Sequence, residues 1–174
     1  DFATVVFQNT VTNRAGNVAE YSFNQLGNAV RTINFTRGLR TNEPAGFTNW
    51  FGYNKHGERV FHTNMELDSI VFTFDSANPD ALAQGNLLQV TRFPGSRGGD
   101  QTSIVTSNHD ETNFNFVDVS TDARGYATVH RYDTLGNRTN IIHRLPSIQE
   151  DFTYNAYGQV TSHTLPDNGS GYRR

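Results

Sequence analysis

The chain has 174 residues, a formal net charge of −3 and no cysteine. That length suffices for one sizeable domain. The charge argues against a general affinity for nucleic acid or an anionic membrane surface, and neither a disulfide framework nor a thiolate metal site can be built. A hydrophobic fraction of 35% with 12% aromatics suits a sheet with one wet face rather than a disordered segment. No apolar run approaches the roughly 20 residues of a membrane helix. No signal peptide is visible, and the abrupt ends at Asp1-Phe2-Ala3 and Tyr172-Arg173-Arg174 are those expected of a piece processed or excised from a longer protein.

In chain order, a recurring pattern comes first. Asn13-Arg14-Ala15-Gly16 pairs Asn with a Gly three residues on, and Phe23-Asn24-Gln25-Leu26-Gly27 repeats it 11 residues later with an aromatic in front. Between them, Ala19, Tyr21 and Phe23 alternate with polar residues, the period-two signature of a half-buried strand. An Asp or Asn can open a tight turn by bonding to backbone groups two residues on. A Gly three residues later can take the left-handed conformation that closes a bulged hairpin. One strand plus one turn then fills the 11-residue unit.

Residues 36–46, with Arg37-Gly38-Leu39 and Pro44-Ala45-Gly46, read as a long connection. Phe47, Asn49, Phe51 and Tyr53 follow on one strand face, with Trp50 between them. Trp50 is a candidate for stacking on a sugar ring, although aromatics at strand parity ordinarily belong to a core. Tyr53-Asn54-Lys55-His56-Gly57 is the next full copy of the pattern, and Ile70, Phe72 and Phe74 mark another strand. Phe74-Asp75 begins a copy that residues 76–85 interrupt. This insertion carries a possible helical turn over 78–84, with Pro79 at a first helical position, and Asp75, Asn78 and Asp80 offer calcium-type oxygen ligands without EF-hand spacing. Residues 93–101 form a Gly-rich loop, Gly95-Ser96-Arg97-Gly98-Gly99, that lacks the ending of a phosphate-binding loop.

His109-Asp110-Glu111, with Asp118 and Asp122 downstream, groups the carboxylates that a glycosidase or lyase would need. The alternating orientation of strand residues makes a solvated loop the simpler reading. Asp122-Ala123-Arg124-Gly125 is a half-copy, and Tyr132-Asp133-Thr134-Leu135-Gly136 follows at 11 residues as the cleanest full copy. Tyr154-Asn155-Ala156-Tyr157-Gly158 completes the series 22 residues further on. The six histidines, His56, His62, His109, His130, His143 and His163, have no paired metal-ligand spacing. His130 shares strand parity with Tyr132, while His143 and His163 fall in corresponding strands. Asn34, Asn137 and Asn168 each begin a glycosylation sequon.

In these residues the chain resembles the Rhs/YD-repeat family. The segment from Ser120 to Asn137 looks like a YD repeat at full strength. Asn113-Phe114-Asn115-Phe116-Val117 is similar to a stretch that often precedes one. The resemblance is strong from Asn113 to Thr161 and weaker from Phe35 to Gly52. It covers the bacterial Rhs toxin shells, the cocoon subunits of insecticidal toxin complexes and the teneurin YD barrel. What it implies is an all-β chain, 1–174 as a single segment, of consecutive antiparallel hairpins in a spiral sheet that forms part of a shell, barrel or fibre. It further implies a secreted or cell-surface location, a structural role without catalysis, cofactor or metal, and as partners neighbouring YD repeats of the same or another copy. Enclosed toxin cargo and surface glycans are further candidates. The toxin shells' terminal self-cleavage signature is not matched. A self-assembling filament and a carbohydrate-binding module stand as alternatives, the former because open strand edges invite pairing.

Overall fold

The computed structural model describes residues 3–95, 98–99, 102–110, 114–145 and 148–167. They form β1 (Phe7–Thr12), β2 (Val18–Phe23), β3 (Ala29–Phe35), β4 (Gly46–Tyr53), β5 (Arg59–Thr63), β6 (Ser69–Phe74), β7 (Leu87–Phe93), β8 (Ser103–Asp110), β9 (Phe116–Thr121), β10 (Ala127–Tyr132), β11 (Arg138–Ile142), β12 (Gln149–Tyr154) and β13 (Val160–Thr164). The 13 strands make one all-β sheet whose hydrogen-bonded order is the chain order, and no helix occurs among the described residues. The contacts divide the chain into two compact units, Asp1–Phe74 with Val90–Ser103, and Asp75–Gln89 with Ile104–Arg174.

Seven connections share one turn. At Asn13, Asn24, Asn54, Asn64, Asp122, Asp133 and Asn155, the side-chain Oδ1 accepts from the backbone N–H groups two and four residues on, at 2.8–3.0 Å. The same residue's N–H donates to the carbonyl four residues on, and its carbonyl accepts from the N–H three residues on. That third position has positive φ, from 75° to 84° at Gly16, Gly27, Gly57, Gly125, Gly136 and Gly158, as a hairpin closed by a left-handed residue requires. At the Asn64 turn the left-handed position is Leu67, with φ 65°. Reading outward from glycines could not find this copy.

The residue before the turn sorts these connections into two kinds. Thr12, Thr63 and Thr121 precede turns whose flanking strands pair in continuous register. Phe23, Tyr53, Tyr132 and Tyr154 precede turns with a β-bulge beside the aromatic. The register leaves one extra residue on the following strand: Val30, Val60, Thr139 and Thr161. Val30 is one of two apolar residues fully buried among those described, at 4% exposure. A fifth bulge lies at Asn108/His109. There His109-Asp110 takes the place of aromatic-Asp, and Asn115, with φ 58°, takes the left-handed position and donates from its N–H to the Asp110 carbonyl. Because antiparallel strands alternate direction, the two kinds of turn segregate in each unit. The aromatic turns after β2 and β4 lie at one end of the first unit and the threonine turns after β1 and β5 at the other. In the second unit, the turns after β10 and β12 lie opposite the one after β9.

The sheet is thin. Besides Val30 only Ala83 is a fully buried apolar residue among those described, while Ser22 and Asn24 are wholly buried polar ones. Cross-strand rings and tethers supply much of the packing: Phe7 stacks on Phe23 at 4.6 Å between ring centres, and Tyr53, Tyr132 and Tyr154 donate their hydroxyls to the carbonyls of Ala29, Val117 and Arg138 on the preceding strand, at 3.1, 2.9 and 2.8 Å. Phe61 lies over its partner Gly52 so closely that a β-carbon there would sit 2.0 Å from the ring.

The insertion after Phe74 differs from expectation. Residues 81–85 are successive turns and not a helical turn. Asn78 and Asp80 accept from the N–H groups of Asp80 and Leu82, and such local side-chain bonds compete with helix. The insertion is closed by Asp75 N–H donating to the Asn86 carbonyl.

Two outcomes follow. Leu67→Gly relieves a left-handed leucine, a conformation that costs about 1–2 kcal/mol, so the melting temperature rises despite the entropy lost with glycine; a fall contradicts the turn assignment. Gly52→Ala lowers stability by about 1–3 kcal/mol through overpacking, and adding Phe61→Leu recovers part of the loss in a double-mutant cycle.

Candidate functional site

A concavity in the second unit, about 470 Å³, is walled by Asp110, Phe114, Asp118, His130, Arg131, Tyr132, Asp133 and Thr134. It lies where the His109-Asp110 and Tyr132-Asp133 connections leave β8 and β10, so the bulges that build the turns also shape the site. Asp118 is the extra residue opposite the Asn108/His109 bulge. Burial pushes the His130 imidazole below its ordinary 6.5; Arg138 and His143 add to the shift and the Asp118 charge opposes it. The imidazole is therefore neutral at pH 7. Burial, opposed by Arg138, raises the Tyr132 phenol. Asp133 is held below the usual carboxylate range, chiefly by the Asn137 side chain and N–H. Its two oxygens are taken by Leu135, Asn137 N–H and Asn137 Nδ2, so it closes a turn and is not available as a base.

Of the carboxylates grouped in the sequence, Asp110 and Asp118 share this concavity. Asp122 belongs to a turn at the other end of the strands, and Glu111 lies outside the described residues. The Asp118 Oδ1 and the His130 Nδ1 are buried without a hydrogen-bond partner. Within this concavity the buried Asp118 carboxylate acts on a neutral imidazole, Asp110 adds a second carboxylate to the wall, and the phenol hydroxyl is committed to the Val117 carbonyl.

A second cluster joins His143 and His163. Glu150 accepts from both, Oε1 from His143 Nε2 at 3.2 Å and Oε2 from His163 Nε2 at 2.7 Å. His163 stacks on Phe152 at 4.3 Å with 12° between the rings, and the Arg138 guanidinium lies 5.6 Å from the Phe152 ring centre. The carboxyl of Glu150 is held below its ordinary range, first by the His163 bond and then by that of His143. No group of three metal-ligating side chains with metal-binding geometry occurs among the described residues. The sequence aligns the two histidines by strand but gives no signal for Glu150, which register alone brings between them.

The remaining candidates are dispersed. Trp50 is 47% exposed and Phe47 43%, so the expected core role does not hold; the Arg31 guanidinium lies 5.6 Å from the Trp50 ring centre and pairs with Glu20 at 2.7 Å. In the insertion, Asn78 donates to Asp75 at 2.6 Å, and the Asn78 and Asp80 Oδ1 atoms accept backbone N–H groups, so the calcium-type oxygens are engaged within the loop. Gly95 donates to Asp68 at 2.6 Å, which docks the start of the Gly-rich loop on the Asn64 turn; Ser96, Arg97 and Asp100 lie outside the described residues. His56 sits within the Asn54 turn, and His62 stacks on Phe51 at 4.8 Å. Asn34 is on β3, Asn137 is bound to Asp133, and Asn168 lies outside the described residues. No helix is long and apolar enough to cross a membrane among the described residues.

No protein-family profile and no curated protein matches the chain. Solved structures do. A crystal structure of TcdB2-TccC3 without its hypervariable C-terminal region superposes with a TM-score of 0.63 at 11% identity, over 86% of this chain and 8% of that one. A TcdB2-TccC3-Cdc42 crystal structure gives 0.63 at 10% identity, over 91% of this chain and 9% of that one. The likeness is one of fold, and the chain spans under a tenth of the length of these two chains. The resemblance to the Rhs/YD-repeat family read from the turns is thus met by the fold.

His130 sets a pH dependence. Its folded-state value lies below the unfolded one, so the unfolded chain binds more protons and stability is lost as pH falls through about 6.5. Urea unfolding at neutral and mildly acidic pH shows a smaller acid loss for His130→Gln than for the parent chain; equal losses would remove His130 as the cause.

Proposed function

We propose that the chain is a non-catalytic stretch of Rhs/YD-type wall, one run of hairpins in a longer β-shell that encloses toxin cargo, exported or displayed at the cell surface. The observation that carries this reading is the use made of the repeat residues. At each of the seven shared turns the Asn or Asp closes the connection, and three tyrosines tether a strand to its predecessor. The repeat is consumed by construction, as expected where repeat stability is a sum of unit and neighbour terms. The fold match to TcdB2-TccC3 over most of this chain and a small part of those supports a segment of a larger wall. The partners are then the adjoining repeats.

One observation favours a second reading. All six residues of β1 are exposed, as a strand that pairs with another chain would be before it is covered. A filament built from copies would use it. Electron microscopy of the protein with its natural flanking sequence decides between them: uniform hollow particles whose contents resist protease support the shell, whereas fibres replace it with the filament.

A further inference from the structure

We propose that Glu150, held between His143 and His163, is a pH-sensitive clasp that fastens the β12–β13 hairpin to β11 more tightly as the solution is acidified from about pH 8 to about pH 5.5.

The three side chains come from three successive parts of the fold. His143 directly follows β11, Glu150 is in β12 and His163 is in β13. A carboxylate can only accept, so in the neutral state each imidazole carries its proton on the Nε2 that faces Glu150. Protonation then adds a proton at Nδ1, leaving both N–H···O contacts in place and making each one charge-assisted, roughly twice as strong. No rearrangement is needed for the clasp to tighten. The histidine side chains are 39% and 40% exposed, so they exchange protons with solvent, while Glu150 is 22% exposed.

The other charges nearby do not replace this pairing. From β10, His130 acts on His143, and it has Asp118 of β9 beside it. Arg138 of β11 lies against the Phe152 ring, and Arg144 lies 3.7 Å from the Tyr126 ring centre. Asp151 of β12 accepts from Asn140 and Gln149. Glu150 stays ionised through the range in which imidazoles charge, because both histidines hold its carboxyl below the ordinary value. By the same sign, its contribution is lost only as the pH falls through that lowered value. Besides the clasp, β13 is held by its ladder to β12 and by the Thr153 hydroxyl, and four of its five residues are exposed.

The test is amide hydrogen exchange of the full chain, corrected for intrinsic rates, over Val160–Thr164. Protection rises about threefold from pH 8 to 5.5 in the unmodified protein. In Glu150→Gln, which keeps an acceptor but no charge, the rise disappears, and His163→Gln reduces it. An equal rise in Glu150→Gln, or none in the unmodified protein, overturns the clasp. Imidazole ¹⁵N shifts of the unmodified protein give an independent reading. Both histidines in the Nε2–H form at pH 8 are expected, and an Nδ1–H form for either overturns it.

Discussion

A single oxygen organises this structure. The Oδ1 of an Asn or Asp takes two backbone N–H groups, two and four residues ahead, and so fixes a five-residue reversal without help from a core. A hydrogen bond of this kind contributes about 0.5–1.5 kcal/mol net, and each turn makes two of them to the Oδ1. That matters because the sheet buries so little apolar surface. Val30 and Ala83 are its fully buried apolar residues among those described, and large side chains such as Trp50, Phe47 and Leu135 are more than a third exposed. Local turns and neighbour contacts, rather than a central core, set the register of one strand on the next.

The aromatic before the turn adds the second constraint. Its bulge puts an extra residue on the following strand, and a tyrosine there returns its hydroxyl to the preceding strand. In Tyr132 both contacts reach β9: the hydroxyl donates to the Val117 carbonyl and the ring packs on Phe116 at 5.2 Å. Threonine in that place leaves the register continuous. Alternation of the two kinds along an antiparallel chain segregates them to opposite ends of the strands in each unit. The concavity at Asp118 and His130 lies at a bulged end, where irregular backbone re-aims side chains.

How much of this was legible in the sequence follows from the same chemistry. The turns at Asn24, Asn54, Asp133 and Asn155 are visible because aromatic, Asx and Gly all coincide. The Asn64 turn is hidden because Leu67 fills the left-handed position, and the connection at Asp110 because His109 replaces the aromatic and Asn115 the glycine. Both copies keep the Asx, the residue whose oxygen or carbonyl closes the turn. The helical turn expected near Pro79 fails because Asn78 and Asp80 bond to their own backbone. The bridge from Glu150 to His143 and His163 has no sequence signal, since it depends on the register across a connection, residues 143–148, that follows no repeat.

The central claim is that the Asx oxygen, and not the glycine, closes these turns. The turn from Asp122 to Gly125 isolates it, because a β-carbon at Gly125 meets nothing within 4 Å and only its φ of 80° opposes alanine. Urea unfolding of Asp122→Ala and Gly125→Ala compares the two directly. A larger loss for Asp122→Ala is predicted; a larger loss for Gly125→Ala would contradict the account.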